Sequence, residues 1–183
     1  MTFNLNKYSE ILKFITENSQ KKVKIVAVSK NQPQNFIEEA INLNIHVFGE
    51  NRVQEAKDKF FSIKANNPNI ELHLTGPLQS NKVKDAINLF DVFQTLDREK
   101  LVLEFLKYPD IVFKKKFFVQ VNIGNEKNKS GISAQEATSF IEFCKHEAKL
   151  PICGLMCIPP IDESPKKHFS LLSSIAKKII LMD

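Results

Sequence analysis

Lys30 is the residue of this chain whose type and position most directly suggest chemistry. It closes an apolar run over residues 24–30, which predicts a buried first strand, and the chain then passes through Pro33 into a helical pattern. In barrels of alternating strands and helices, the active face lies at the carboxyl ends of the strands. A lysine at such an end can form a Schiff base with a carbonyl compound or a carbonyl-bearing cofactor when its amine is neutral.

Other polar residues stand at the carboxyl ends of the remaining predicted strands. In chain order they are Glu50 and Asn51, then His73 and Thr75, then Thr95 and Asp97, then Asn122, and last the turn at residues 156–160. Because the carboxyl ends of parallel strands meet at one edge of a sheet, we expect these residues to line one face together with Lys30.

Several of these residues also have a structural interpretation. A hydrogen-bonded structural role is favoured for His73, and Asn51 and Asn122 could equally cap loops where a strand turns into a helix. Lys82 could act as a nearby cation that lowers the pKa of Lys30, although a surface lysine is the favoured interpretation. These residues are therefore weaker candidates than Lys30 on spacing alone.

The acidic residues after the second strand give no sign of acid or base catalysis. Glu50, Glu55 and Asp58 have the pattern of a solvated helix start, and no second acid is spaced to form a catalytic pair. The sequence thus predicts neither a catalytic carboxylate nor any other catalytic side chain.

Strand and helix patterns alternate along the whole chain. Strands are predicted over residues 23–29, 45–48, 71–75, 91–95, 117–123 and 152–156; helices are predicted over residues 4–18, 33–43, 51–63, 78–88, 97–107 with Asp97 as cap, 133–147 with Ser133 as cap, and from residue 164 onward. Near-continuous apolar strands separated by helices favour an α/β fold with a parallel sheet covered by helices.

Two architectures of this class compete, an open doubly wound sheet and a (β/α) barrel. No glycine-rich G-x-G-x-x-G turn follows any predicted strand, and this disfavours the dinucleotide-binding fold. The barrel is therefore preferred.

Length and composition predict a single domain over residues 1–183, since 43% of the residues are hydrophobic and no shift in composition divides the chain. No stretch of about 18 apolar residues occurs, and the first residues lack the pattern of a secretory signal, so we expect a soluble, cytoplasmic protein.

Composition also argues against two classes of binding site. The net charge is +5, but the lysines are scattered and no nucleic-acid-binding motif accompanies them. The three cysteines, Cys144, Cys153 and Cys157, are not part of a histidine or cysteine cluster of the kind that binds zinc. We expect reduced thiols, no metal and no nucleic-acid partner.

Five segments of the sequence resemble one known family. The segments AVSK, FGENRVQE, LHLTGPLQSNK, QVNIGNEKNKSGI and GLMCIPP occur in this order from residue 27 to residue 160. In order and spacing they resemble the pyridoxal phosphate homeostasis proteins, which are similar to the barrel domain of alanine racemase without its second domain.

The resemblance implies a site and a function. The lysine that ends the first strand, here Lys30, would carry pyridoxal 5'-phosphate as a Schiff base, and Asn51 would lie beside the cofactor. The family is regarded as a binder and regulator of the cofactor pool without established turnover. Pyridoxal-phosphate-dependent apoenzymes would be the recipients of the cofactor, and the oligomeric state is left open.

The resemblance also implies an incomplete barrel. Members of the family continue with seventh and eighth strands whose serine- and glycine-rich segments hold the cofactor phosphate, and this sequence contains neither segment. We therefore expect a TIM-type barrel of the alanine racemase N-terminal-domain kind with about six of its eight strands, truncated at its carboxyl end and lacking the last two strand-helix units.

Three functional hypotheses follow. The first is a non-catalytic carrier of pyridoxal phosphate. The second is a Schiff-base enzyme, either a racemase or an aldolase, although a racemase of this type needs a tyrosine base, and Tyr8 and Tyr108 are not near a predicted strand end. The third is a decayed or split gene product with weak or no cofactor binding.

Overall fold

The apolar runs predicted as strands form one parallel sheet in the computed structural model, which describes residues 3–180 and the side chains through residue 178. The strands are β1 (Ala27–Val28), β2 (Val47–Glu50), β3 (Glu71–Leu74), β4 (Val92–Leu96), β5 (Lys116–Asn122), β6 (Ile132–Ser133) and β7 (Ile152–Met156). Neighbours pair in chain order from β1 to β5, and β6 and β7 both pair with β5.

Helices cover the sheet and connect its strands. They are α1 (Leu5–Asn18), α2 (Gln34–Asn42), α3 (Val53–Asn66), α4 (Val83–Leu89), α5 (Glu99–Phe105), α6 (Pro109–Val112), α7 (Ala137–Glu142) and α8 (Pro165–Ile180), with a 3-10 turn at Ser80–Lys82 before α4 and a π-helical turn at Phe143–Glu147 after α7. No helix in this part of the chain is both long enough and apolar enough to cross a bilayer.

The six predicted strands are present, with three differences in detail. The first strand is shortened to two residues, Ala27–Val28, which pair with β2. Asp97 does not cap α5, since the helix begins after Arg98, and a short β6 appears where Ser133 was expected to cap a helix. Ser133 Oγ does accept a hydrogen bond from the Glu136 backbone N–H at 3.2 Å, but α7 begins only at Ala137.

Phenylalanine rings fix the centre of the sheet against its helices. Phe93 on β4 stacks on Phe117 of β5 with ring centroids 5.3 Å apart, and Phe105 of α5 meets these two rings edge-on at 4.7 and 4.8 Å. All three side chains are fully buried. Aromatic contacts of this kind stabilise beyond the burial of apolar area, so β4, β5 and α5 form a rigid base for the strand ends.

The face of the sheet away from the helices is the inner face of the fold. A Cβ atom on Gly49 would lie 3.0 Å from Val26 Cγ1 and 3.3 Å from both Val28 Cγ2 and Thr75 Cγ2, so these residues share that face. Val28 is nevertheless 50% exposed. Within the described residues β1 pairs only with β2 and β7 only with β5, and the sheet is therefore consistent with an incomplete TIM barrel.

Candidate functional site

A tight turn at residues 29–32 carries Lys30. The Ser29 N–H donates to Gly49 O at 2.9 Å, which continues the β1–β2 ladder, and the Gln32 N–H donates back to Ser29 O at 3.0 Å. Asn31 has a φ of 59°, in the left-handed region that asparagine tolerates better than most residues. The Lys30 side chain is exposed and its amine has no hydrogen bond or ion pair with any described residue.

A buried charge cluster anchors this turn from α3. Lys59 Nζ lies 2.6 Å from Glu50 Oε1 and 2.9 Å from Glu55 Oε1, and it donates to Ser29 O at 2.8 Å. Ser29 Oγ also donates to Glu50 Oε1 at 2.8 Å, and the Asn31 N–H donates to Glu55 Oε1 at 2.6 Å. The cluster therefore holds the backbone and the side chain of Ser29, which precedes Lys30, and the backbone of Asn31, which follows it.

The prediction of a solvated helix start was wrong for Glu50, whereas the Glu55 side chain, in the first turn of α3, is 26% exposed. Glu50 is 0% exposed, because the alternation of β2 directs it with Phe48 toward the helices. The hydrogen bond from Lys59, aided by the Asn31 N–H, holds the pKa of Glu55 below its usual value against the opposing effect of burial. Asp58 is exposed as expected and accepts from Gln54 Nε2 at 2.9 Å.

Asn51 directly follows β2, and the register of β1 and β2 places it level with Lys30. Val28 is opposite Gly49 in the register of β1 and β2, so the chain positions two residues later bring Lys30 beside Asn51. The Asn51 side chain accepts a hydrogen bond from Thr75 Oγ1 at 2.9 Å, while its amide NH₂ has no partner among the described residues. A Cβ atom on Gly76 would lie 2.7 Å from Asn51 Cα, so only glycine lets the two strand ends approach this closely.

A cleft of about 230 Å³ opens beside Asn51 at the carboxyl ends of the strands. Gln120 and Asn122 of β5 and Ser130 of the loop after it contribute polar groups to its lining. Gln120 is 6% exposed, its Nε2 donates to Ser130 O at 3.2 Å, and its Oε1 has no partner. Sequence reasoning missed Gln120, although its alternation with Phe117, Val119 and Val121 in a strong strand pattern was an available signal.

Asn122 has the loop-capping role that was its alternative interpretation. Its Oδ1 accepts from the Glu126 N–H at 3.1 Å and its Nδ2 donates to Glu126 O at 2.9 Å, so the side chain closes the loop after β5. A Cβ atom on Gly131, whose φ is 118°, would lie 2.5 Å from the Asn122 backbone nitrogen. This glycine lets the loop return over the end of β5.

Lys82 does not line the inner cleft. Together with Arg52, Arg98 and Asn51 it lines an adjoining groove of about 760 Å³, which shares Asn51, Pro77 and Ser130 with the cleft. Arg98 is held there by Leu78 O at 2.7 Å and by Asp97. The favoured interpretation of Lys82 as an exposed lysine agrees with its position, and the groove is a basic surface beside the cleft.

His73 is buried, and both of its ring nitrogens have hydrogen-bond partners. His73 Nε2 lies 2.8 Å from Glu71 Oε1, and Gln94 Nε2 lies 2.8 Å from His73 Nδ1. The structural interpretation of His73 is thus confirmed. Burial lowers the pKa of His73, more strongly than the neighbouring Glu71 carboxylate raises it, and a neutral ring fits an Nε2–H donor to Glu71 and an Nδ1 acceptor from Gln94.

Glu71 makes stability depend on pH. Burial raises the pKa of its carboxyl, but the hydrogen bonds from Lys24, His73 and Lys116 outweigh burial and hold this pKa at about 2, compared with an ordinary value of 4.5. A depressed folded-state pKa contributes stability above the unfolded value, and that contribution is lost as pH falls from 4.5 toward 2. The lowered pKa of buried His73 also makes the folded state less stable as pH falls below 6.5.

We therefore expect Glu71→Gln to flatten the acid limb of the stability curve. The free energy of unfolding, measured by urea titration, should fall between pH 6 and pH 3 by about 1 to 2 kcal/mol more in the wild-type chain than in Glu71→Gln. This difference is modest because solvent weakens each of the ion pairs of Glu71. Glu10→Gln, at an exposed ion pair with Lys7, should keep the wild-type pH dependence. Identical curves for wild-type chain and Glu71→Gln would contradict the assignment.

The tyrosines and cysteines lie away from the cleft. Tyr8 of α1 and Tyr108 before α6 pack against the hydrophobic core, and neither lines the cleft. Burial raises the pKa of the Cys144 thiol to about 12, so it is an inert core residue. Within residues 3–180, no three histidine, cysteine, aspartate or glutamate side chains are grouped so that they could hold a metal.

Comparison with known proteins identifies the family of this fold. Residues 4–177 match the family described as alanine racemase, N-terminal domain. The pyridoxal phosphate homeostasis protein of Buchnera aphidicola is 38% identical over 90% of this chain and 75% of its own length. The chain belongs to the pyridoxal phosphate homeostasis protein family. The Haemophilus influenzae member is 37% identical, and there the match spans 77% of this chain and 60% of the relative.

Two solved structures share the same architecture. PipY of Synechococcus elongatus, solved with pyridoxal phosphate bound, is 26% identical with a TM-score of 0.76 over 95% of this chain and 82% of PipY. Alanine racemase of Corynebacterium glutamicum has a TM-score of 0.65 over 86% of this chain and 46% of the racemase, at 13% identity. The expected alanine racemase N-terminal-domain fold is therefore confirmed.

Proposed function

We propose that this chain binds pyridoxal 5'-phosphate and takes part in its intracellular homeostasis, with the cofactor held as a Schiff base on Lys30. The observation that carries the proposal is the exposed Lys30 amine, which has no partner among the described residues and follows β1 level with Asn51. The names of the curated relatives and the cofactor bound to PipY support it.

The polar groups of the cleft fit this ligand. Bound pyridoxal phosphate supplies an aldehyde that can condense with an amine, with the loss of one water, and its ring carries a nitrogen and a hydroxyl. Gln120 Oε1, nearly buried and without a partner, can accept a hydrogen bond from such a group. The free amide NH₂ of Asn51 can donate one.

Three residues have distinct parts in the proposal. Lys30 must lose a proton before its nitrogen can bond to a carbonyl carbon. Asn51 and Gln120 would orient the ligand, and no residue is assigned a catalytic role. Cytoplasmic location and delivery to pyridoxal-phosphate-dependent apoenzymes are part of the same proposal.

The racemase alternative lacks support in the cleft. Neither tyrosine lies there, so the described residues offer no phenol that could act as a base opposite Lys30. The carrier function is the one that the geometry supports best.

Reductive trapping tests the proposal. The purified chain is incubated with pyridoxal phosphate, reduced with sodium borohydride and digested, and the adducts are mapped by mass spectrometry. We expect close to one adduct per chain at Lys30, and at least a tenfold loss of total adduct in Lys30→Arg, which keeps the charge but cannot form the bond. Lys22→Arg, at an exposed position before β1, should label as wild type does.

The opposite result would also be informative. Adducts spread evenly over surface lysines, at the same level in wild-type chain and Lys30→Arg, would refute specific binding. That outcome would favour the hypothesis of a decayed or split gene product.

A further inference from the structure

Side chains of α3 add hydrogen bonds to the backbone around Lys30. In the turn at residues 29–32, Ser29 O accepts from both Gln32 N–H and Lys59 Nζ, and the Asn31 N–H donates to Glu55 Oε1. Lys59 Nζ also lies 3.4 Å from Gln32 O. The Lys30 side chain itself has no hydrogen bond or ion pair with a described residue, so a free amine projects from this turn.

General stability does not explain why charges occupy these positions. Removing carboxylates and an ammonium group from water is costly, and apolar side chains of similar size often stabilise a core as well or better. Glu50 is fully buried, Lys59 is 9% exposed, and one oxygen of Glu50 has no hydrogen-bond partner. What the cluster provides, and an apolar core could not, is hydrogen bonds to the polar backbone on both sides of Lys30.

We propose that Lys59, together with Glu50 and Glu55, is a positioning device that fixes the turn at residues 29–32 and so directs the Lys30 amine for its reaction with a carbonyl group. This inference rests on the proposed function of Lys30. Its content is separate, because it assigns the position of the amine to three side chains that, like Lys30 itself, are not among the residues that line the cleft.

The geometry gives each of the three a different contact. Glu55 holds the backbone after Lys30 through the Asn31 N–H, Glu50 holds the residue before it through Ser29 Oγ, and Lys59 joins the two carboxylates. A carboxylate that accepts a backbone N–H at 2.6 Å makes a strong charge-assisted bond. Loss of the Glu55 acceptor should therefore free the turn while Glu50 and Lys59 remain paired.

Glu55→Ala is the decisive variant, with Asp58→Ala as its matched control on an exposed position of the same helix. The rate of borohydride-trapped adduct formation at Lys30 is measured relative to the summed surface lysines of the same sample. We expect Glu55→Ala to slow Lys30 about tenfold, Asp58→Ala to leave it unchanged, and Glu55→Gln, which keeps an acceptor oxygen, to recover part of the rate.

A second measurement reports on the turn without any cofactor. Hydrogen exchange of the peptide that contains Asn31 should be about tenfold faster in Glu55→Ala than in the wild-type chain or Asp58→Ala, with the rest of the sheet unchanged. A merely structural role would instead loosen α3 as a whole and alter exchange along that helix.

The outcomes separate the two proposals. Specific labelling of Lys30 in the wild-type chain with an unchanged rate in Glu55→Ala would overturn the positioning device and leave the cofactor proposal intact. Absence of preferential labelling in the wild-type chain would overturn both. Slower labelling confined to Lys30, with faster exchange at Asn31, supports the device.

Discussion

Replacement of Lys59 by methionine is expected to lower the free energy of unfolding by about 3 to 5 kcal/mol, as measured by urea denaturation at pH 7. Glu50 is 0% exposed and its nearest cation is the Lys59 ammonium at 2.6 Å. The variant leaves that carboxylate inside the protein without a counter-ion. Methionine keeps the length of the side chain, so the expected loss reflects charge and hydrogen bonding rather than a cavity.

Two further variants isolate the cause. Lys57→Met lies on the same helix, where Lys57 is 52% exposed and 3.9 Å from Asp85, so it should change stability by less than about 1 kcal/mol. Adding Glu50→Gln to Lys59→Met removes the uncompensated charge and should recover a large part of the loss. Equal effects of Lys59→Met and Lys57→Met would show that the cluster is screened by solvent.

Gly76→Ala is expected to destabilise the chain by about 3 kcal/mol, at the upper end of what overpacking costs. The added Cβ would lie 2.7 Å from Asn51 Cα and 2.8 Å from Asn51 Cβ. The obstacle is mainly backbone, which cannot rotate away as a side chain can. The ends of β2 and β3 must separate, and the Thr75 to Asn51 hydrogen bond should be lost with them.

Gly154→Ala is the matched control for this effect. Its Cβ would lie 3.1 Å from the Phe118 ring, a side chain that can shift by a few tenths of an ångström. We expect a loss of about 1 kcal/mol in urea titrations, and we expect trapping at Lys30 to be reduced only in Gly76→Ala. Equal stability of the two variants would mean that the ends of β2 and β3 can move apart to accommodate the added methyl group at little cost, which would contradict the prediction.

Apolar patterning predicted the strands because their buried apolar residues recur at every second position, as Phe117, Val119 and Val121 do in β5. It could not predict that β1 would shrink to two residues, since strand length depends on a partner that local sequence does not describe. It also did not indicate α6 (Pro109–Val112), which follows the helix predicted over residues 97–107.

The site was predicted unevenly for physical reasons. Lys30 and Asn51 follow strong strand patterns, so sequence could predict that they stand near the ends of neighbouring strands, and the β1–β2 register agrees with this. The Glu55 and Lys59 pair has helical i, i+4 spacing that sequence could have indicated. The burial of Glu50 and its contact with Lys59 required the docking of α3 on β2, which is a tertiary fact.

The two-residue pairing of β1 has a consequence for the order in which structure is gained and lost. Few ladder hydrogen bonds stabilise β1. The stability of the segment before α2 therefore depends on its contacts with α3, which follows it in the chain. During synthesis, the turn at residues 29–32 can gain its hydrogen bonds to Glu55 and Lys59 only after residues 53–66 have been made. On partial unfolding it should be released early, while β3, β4 and β5 remain joined around their phenylalanine rings.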